Sequence, residues 1–359
     1  MLKYWVWLST LEGLGNLGKR RVLEYFGSPK AAMFADGEEY ARIPGLRESE
    51  RMALRDKNLA RAEEILDECS DLGIQILTYT DASYPERLQQ LEDAPLLLYW
   101  KGRLPAFDHL PVIGVVGTRK ATAYGLQTAR RMGYQLGQSG GVVVSGMAKG
   151  IDAMATEGCL SAGQLAVGVL GGGVDVVYPK VNRSLFRDME ERGCLMSEYP
   201  PGTPPLGAHF PVRNRIISGL SLGVLVVEAP QRSGSLITAS LANEQGRDVF
   251  AVPGTIDTAA FIGSNGLIQE GAKLVTTGWD ILSEYEHLFP NLRPATLGTK
   301  TGPPMKEQTA AAKAKAAEKH PEKSAEKAIE GRTKKTQPAA VSDKKGIDNP
   351  KNKPYSDLE

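Results

Sequence analysis

Three cysteines and four histidines are all that this chain of 359 residues contains. Cys69, Cys159 and Cys194 are odd in number and far apart, and no CxxC pair occurs. That argues against a disulfide framework and suits reduced thiols in a cytoplasm. HExxH and closely spaced His/Cys sets are missing, so no metal is expected. The GxSxG of a nucleophile elbow and the GxxxxGK[ST] phosphate loop are missing too. No window holds the roughly 18 apolar residues of a membrane span. The apolar run within "MLKYWVWLSTLEGLG" is too short for a signal-peptide core and no small-residue cleavage motif follows it. The expectation is a soluble, cytoplasmic protein with no membrane contact. A strong charge of either sign is lacking as well, the net value being +1. Residues from Asn291 onward carry about six more basic than acidic side chains, which leaves the preceding part net acidic by about five. An anion site, if there is one, has to be local.

What is present is an ordinary globular composition, 42% hydrophobic and 24% charged. Residues 1–75 read as a small helical domain, with apolar positions at helical spacing in "KRRVLEYF" and "ARAEEILDECSDLG". From residue 76 to 290 the pattern changes. "ILTYTDASYPERL" and "PLLLYWKG" are short extended runs, followed by "PVIGVVG", "GGVVVSG", "LAVGVLGGG", "CLMSEYP", "LGVLVVEAP" and "DVFAVPG", separated by helix-length stretches. Continuous Val-rich runs belong to strands buried on both faces, so an α/β fold with a mostly parallel sheet and helices on both faces is expected. Residues 291–359 are rich in Lys, Ala, Glu and Pro and poor in aliphatic residues, which predicts a disordered tail.

"GLGNLG", Gly13 to Gly18, matches GxGxxG, but no βαβ unit surrounds it, so no dinucleotide cofactor is expected there. With "IPGL" later it is similar to helix-hairpin-helix elements; plain glycine turns in a helical bundle explain it equally well. Most predicted strands end in a small-residue cluster: Gly117-Thr118-Arg119, Ser145-Gly146-Met147, Gly171-Gly172-Gly173 and Ser233-Gly234-Ser235. Ligands bind at the carboxyl ends of strands in open α/β sheets, and small residues there let backbone N–H groups approach an anion. Joined by Arg119, Lys149, Lys180, Arg213 and Arg215, these loops predict a basic, donor-rich crevice.

The stretch "HFPVRNRIISGLS" sharpens the point. Pro211 is expected to hold Phe210 extended, with a helix starting just after it. Two arginines at a helix start have the wrong sign for the helix dipole unless an anion is close. Asp152, Asp175, Glu198 and Glu228 stand at predicted strand or helix ends. Helix capping or pairing with the arginines suits them better than acid–base work.

"GVVGTRKATAYG", "VVVSGMAKGIDAMA", "VLGGGVDVVYPKVN", "SEYPPGTPP", "HFPVRNRIISGLS", "VVEAPQRSGSLITASLANEQGRDVFAVPG" and "LIQEGAKLV" occur in order across residues 80–285 and together resemble the DNA-processing DprA/Smf family. The resemblance implies an extended Rossmann-like fold preceded by a sterile-alpha-motif-like or helix-hairpin-helix domain. It implies a non-enzymatic protein that binds single-stranded DNA, dimerises, and helps load RecA recombinase during natural transformation. Carried over, the family's basic pocket corresponds to Arg119, Lys149, Lys180, Arg213, Asn214 and Arg215, with Phe210 a candidate for stacking on a base. Gly117, Thr118, Ser145, Gly146, Gly172, Ser233, Gly234 and Ser235 are expected to cradle phosphates. Met154-Ala155-Thr156 stands where Ala-Ala-His often follows "GIDA" in the family, and no winged helix is recognisable near the C-terminus. Two rivals share the fold class: a nucleotide phosphoribohydrolase, whose PGGxGTxxE signature is missing here, and a NAD-dependent oxidoreductase, which lacks its fingerprint.

Overall fold

In the computed structural model residues 1–295 are described; from residue 296 on, the expected tail lies outside the described residues. Nine strands form one sheet: β1 (Gln75–Thr78), β2 (Leu97–Gly102), β3 (Val112–Val116), β4 (Val142–Ser145), β5 (Ala166–Leu170), β6 (Cys194–Ser197), β7 (Gly223–Val226), β8 (Asp248–Ala251) and β9 (Lys273–Leu274). Their order is β1-β2-β6-β5-β4-β3-β7-β8-β9. All strand pairs from β6 across to β9 are parallel, while β2 is antiparallel to both β1 and β6. The expected fold class is therefore found, and each Val-rich run supplies a strand. β9, inside "LIQEGAKLV", is an addition that two exposed residues could not announce.

Alternation explains why these runs become strands. Val112 and Val116 join one buried cluster and Ile113 and Val115 the other, as do Val142 and Val144 against Val143. A period of two places successive side chains on opposite faces of a sheet, and here both faces are covered. Helices Ala123–Gln138, Ile151–Ser161 and Arg183–Arg192 supply Met132, Ala155 and Phe186 to one cluster. Helices His209–Leu220 and Gly234–Glu244 supply Ile217 and Ala239 to the other.

Six short helices fill Leu2–Leu72, ending just before β1. Local signals set their limits. The Ser28 side chain accepts from Ala31 N with Pro29 in the first turn, and Asp36 with Glu39 makes a capping box. Gly27 and Gly73 close two of the helices at φ 71° and 65°, where glycine has no Cβ penalty. Trp7, Ile65 and Cys69 of these helices belong to the same buried cluster as Leu97 and Tyr99 of β2. The helices thus close over one face of the sheet.

Strand order places the site. From β3 the sheet grows one way through β4, β5 and β6, and the other way through β7, β8 and β9. The reversal between β3 and β7 opens a crevice at the strands' carboxyl ends.

Candidate nucleic-acid interface

The loops after β3, β4 and β5 meet the start of helix His209–Leu220 at this end of the sheet. The His209 ring nitrogen Nδ1 lies 2.9 Å from Gly171 O, which fixes the helix start against the end of β5. A Cβ on Gly171 would stand 3.0 Å from the Phe210 ring, so glycine makes the slot in which the ring sits. The Arg119 guanidinium lies 5.2 Å from the Phe210 ring centroid and that of Arg213 5.9 Å. Cations at such distances are attracted to the ring face. Tyr178 adds a second ring, 5.7 Å from Phe210 and tilted by 32°. Tyr178 was absent from the sequence-derived candidates, although "YPK" placed it two residues before Lys180.

Arg119, Lys149 and Lys180 are exposed. Among the described residues none of the three forms an ion pair. Asn182 Nδ2 donates to Met147 O at 2.9 Å, tying the loop that carries Lys149 to the segment that carries Lys180. Met147 itself adopts φ 57°, a conformation uncommon for a residue with a side chain. That turn sends the chain from β4 into the exposed Lys149.

Arg213 and Arg215 differ from expectation. The helix begins at His209, so Phe210 is helical rather than extended. Pro211 falls in the first turn, where its missing N–H would have had no intrahelical partner. Both arginines are 5% exposed. Arg213 donates to Gly146 O at 2.8 Å and to Val169 O, clamping the ends of β4 and β5. Asp152 is its counter-charge. Burial pushes the Asp152 carboxyl up to about 6 although Arg213 and two backbone donors oppose the shift. Burial likewise lowers Arg213 to about 10, with Asp152 working against it. Arg215 reaches Glu198 at 2.6 and 2.8 Å and Asp93 at 3.0 Å. The anions that answer these arginines are carboxylates of the chain itself. Asn214, between them, is half-buried, and its carbonyl accepts from Ser218 Oγ at 3.3 Å.

The glycine-rich loops are closely packed as well. Ser145 is buried and donates to Val115 O at 2.6 Å, while Gly146 N donates to Asp152 at 3.1 Å. Thr118 N donates to Glu228 O at 2.8 Å. A Cβ at Gly117 would collide with Ile151, and one at Gly172 would stand 2.8 Å from Thr203 O in the strap that follows Tyr199. At Gly117 and Gly172 the lack of a side chain thus admits a close internal contact. Ser233 caps its own helix through Ser235 N and shares a hydroxyl contact of 2.7 Å with Ser235, whereas Gly234 faces open space.

Glu228, fully buried, accepts from Thr122 N at 2.9 Å and from Thr122 Oγ1 at 2.7 Å, at the N-terminus of helix Ala123–Gln138. A Cβ on Gly125 would stand 1.9 Å from its carboxylate. Helix N-termini attract anions, and here the socket beside the sheet's reversal point is filled from within. Asp175 accepts from Gly202 N at 3.0 Å. Asp152, Asp175, Glu198 and Glu228 are thus all engaged internally.

The basic run after "GLGNLG" also turns inward. Lys19 donates to Ser9 O, Arg20 to Leu91 O and Arg21 to Gly45 O. Among the described residues no helix is long and apolar enough to cross a membrane, and no three metal-ligating side chains gather.

Fold and crevice together define a Rossmann-like protein that presents exposed cations around an aromatic platform, with its nucleotide-type socket already occupied by a carboxylate. The sequence pattern of the family described as DNA recombination-mediator protein A matches residues 75–286. The Streptococcus pneumoniae DNA processing protein DprA is 47% identical over 206 residues, covering 57% of this chain and 72% of that protein. Protein Smf of Synechocystis is 37% identical over 287 residues, covering 78% and 71%. The crystal structure of the S. pneumoniae protein matches with a TM-score of 0.70 at 38% identity, over 79% of this chain and 98% of that one. A Helicobacter pylori DNA processing protein A, solved for its single-stranded DNA binding mode, matches with a TM-score of 0.54 at 26% identity, over 60% and 97%. The chain belongs to the DprA/Smf family of DNA recombination mediators.

Proposed function

We propose that this chain binds single-stranded DNA across the mouth formed by Arg119, Lys149, Lys180, Tyr178 and Phe210. On this reading it acts in the cytoplasm as a homodimer, protects incoming DNA and helps load RecA recombinase onto it during natural transformation. The observation that carries the DNA reading is Phe210, set in its glycine slot beside two guanidinium groups with Tyr178 alongside. Single-strand binders pair such stacking platforms with cationic grooves and remain sequence-tolerant. Arg119, Lys149 and Lys180 contact phosphates, Phe210 and Tyr178 meet bases, and Arg213 and Asp152 hold the loops from beneath. The single-strand binding of the H. pylori relative supports the same assignment. A hydrolytic role is disfavoured because each carboxylate near the crevice already has an internal partner.

Binding of the purified chain to one oligonucleotide, single-stranded and as a duplex, tests the reading. The single strand binds more tightly, because only it offers unpaired base faces. Phe210→Ala weakens that binding by about 1–3 kcal/mol. Equal affinity for both forms, unaltered in Phe210→Ala, would contradict the assignment.

A further inference from the structure

One link from the N-terminal helices toward the mouth runs through the Glu198 carboxylate. Helix Asn16–Phe26 opens on Asn16, whose Nδ2 donates to Glu198 Oε1 at 2.8 Å across 182 residues of chain. Lys19 is half-buried in the same seam. Burial pushes its ammonium below the usual range, and attraction to Glu198 opposes the shift. Arg20 of this helix reaches Leu91 O and lies 5.6 Å from the Tyr79 ring, so the contact is not confined to one side chain.

Glu198 and its neighbour grip the helix that carries Phe210 at two points. Glu198 holds Arg215 in its second turn at 2.6 and 2.8 Å. Tyr199 stacks on His209 at its first residue, with ring centroids 4.0 Å apart and planes at 17°. Phe210 lies between these two grips. We infer that Asn16, Glu198 and Arg215 are positioning residues: the N-terminal helices set the affinity of the mouth for single-stranded DNA by fixing the helix that presents Phe210. This inference rests on the DNA-binding reading above and adds that the two regions are energetically coupled. None of the three side chains need touch DNA.

A double-mutant cycle between Asn16 and Phe210, in the full chain, tests it. Asn16→Ala removes one hydrogen bond and no charge. It lowers affinity for a single-stranded oligonucleotide about fivefold, a modest coupling for two linked sites. It leaves the slope of log K against log salt unchanged, since no phosphate contact is lost. Asn16→Asp, which sets a carboxylate against Glu198, lowers affinity further. In a Phe210→Ala background both losses disappear, because the ring being positioned is gone. Thermal unfolding of each variant checks that the fold is retained, and Asn16→Gln serves as the conservative variant that recovers part of the loss. Wild-type affinity in Asn16→Ala and Asn16→Asp, with Phe210→Ala still defective, would overturn the coupling and leave the DNA site standing. Losses that persist undiminished beside Phe210→Ala would overturn it too. If Phe210→Ala alone binds normally, the reading of the mouth itself fails.

Discussion

Arg213 and Arg215 stand two positions apart on one helix, about 200° around its axis, and so turn to different partners. Arg213 faces the strand ends and Asp152, and Arg215 faces Glu198 and Asp93. Their pairing with anions could be anticipated from charge and position. Glu198 and Asp152 were among the four candidate partners, but which carboxylate answers which arginine could not be told, since Glu198 is 17 residues from Arg215 and Asp152 lies on another helix. Burying two charges is favourable only when geometry and extra hydrogen bonds offset desolvation, and Arg213 is placed where both help. The buried acid beside it titrates with an unusual sign. Asp152 ordinarily loses its proton near 3.8, and burial raises that to about 6. Between those values the folded chain holds a proton that the unfolded chain has released, so this group adds stability as pH falls from about 7 toward 4. Wild type therefore gains stability relative to Asp152→Asn between pH 7 and pH 5. Calorimetry at both pH values reads the difference, and parallel curves would show an Asp152 that stays ionised throughout.

At the level of elements, strands were the most legible part of the sequence, because residues buried on both faces must be apolar throughout. Val142-Val143-Val144 could hardly be anything else. Glycine was legible as a signal of close approach, but the approaching group was not. Gly117, Gly146 and Gly172 stand at strand ends as expected, yet the groups pressing on them are Ile151, Arg213 and the Thr203 strap. A close approach of backbone to ligand and a close approach of backbone to another part of the chain select the same residue. Helix Ala123–Gln138 shows the second case most clearly. Gly125 lets its first turn settle over the Glu228 carboxylate, which in turn satisfies Thr122 N. Gly125→Ala forces these apart and destabilises the fold by about 1–3 kcal/mol, as overpacking of a tight interior does. Urea unfolding measures it; an unchanged midpoint would mean that the helix start is free to shift.

Across the whole molecule, the net charge of +1 gave no sign of the exposed cations of the proposed mouth, whose loops follow strands that the sheet order brings side by side. Arg119, Lys149 and Lys180 follow β3, β4 and β5, and β4 lies between the other two. Their gathering could be inferred from the family resemblance and from the rule that α/β sheets bind at their carboxyl ends. The aromatic companion Tyr178 and the inward turn of Lys19, Arg20 and Arg21 required the coordinates, because both depend on contacts between segments far apart in sequence. On the proposed reading the exposed trio, and not the buried arginine pair, neutralises DNA phosphates. Binding of single-stranded DNA by the Arg119→Ala/Lys149→Ala/Lys180→Ala variant across a salt series separates the two groups. Each lost phosphate contact lowers the magnitude of the slope of log K against log salt by about 0.7, so the triple variant flattens it by roughly 2. A folded triple variant with the wild-type slope would place the phosphate contacts elsewhere.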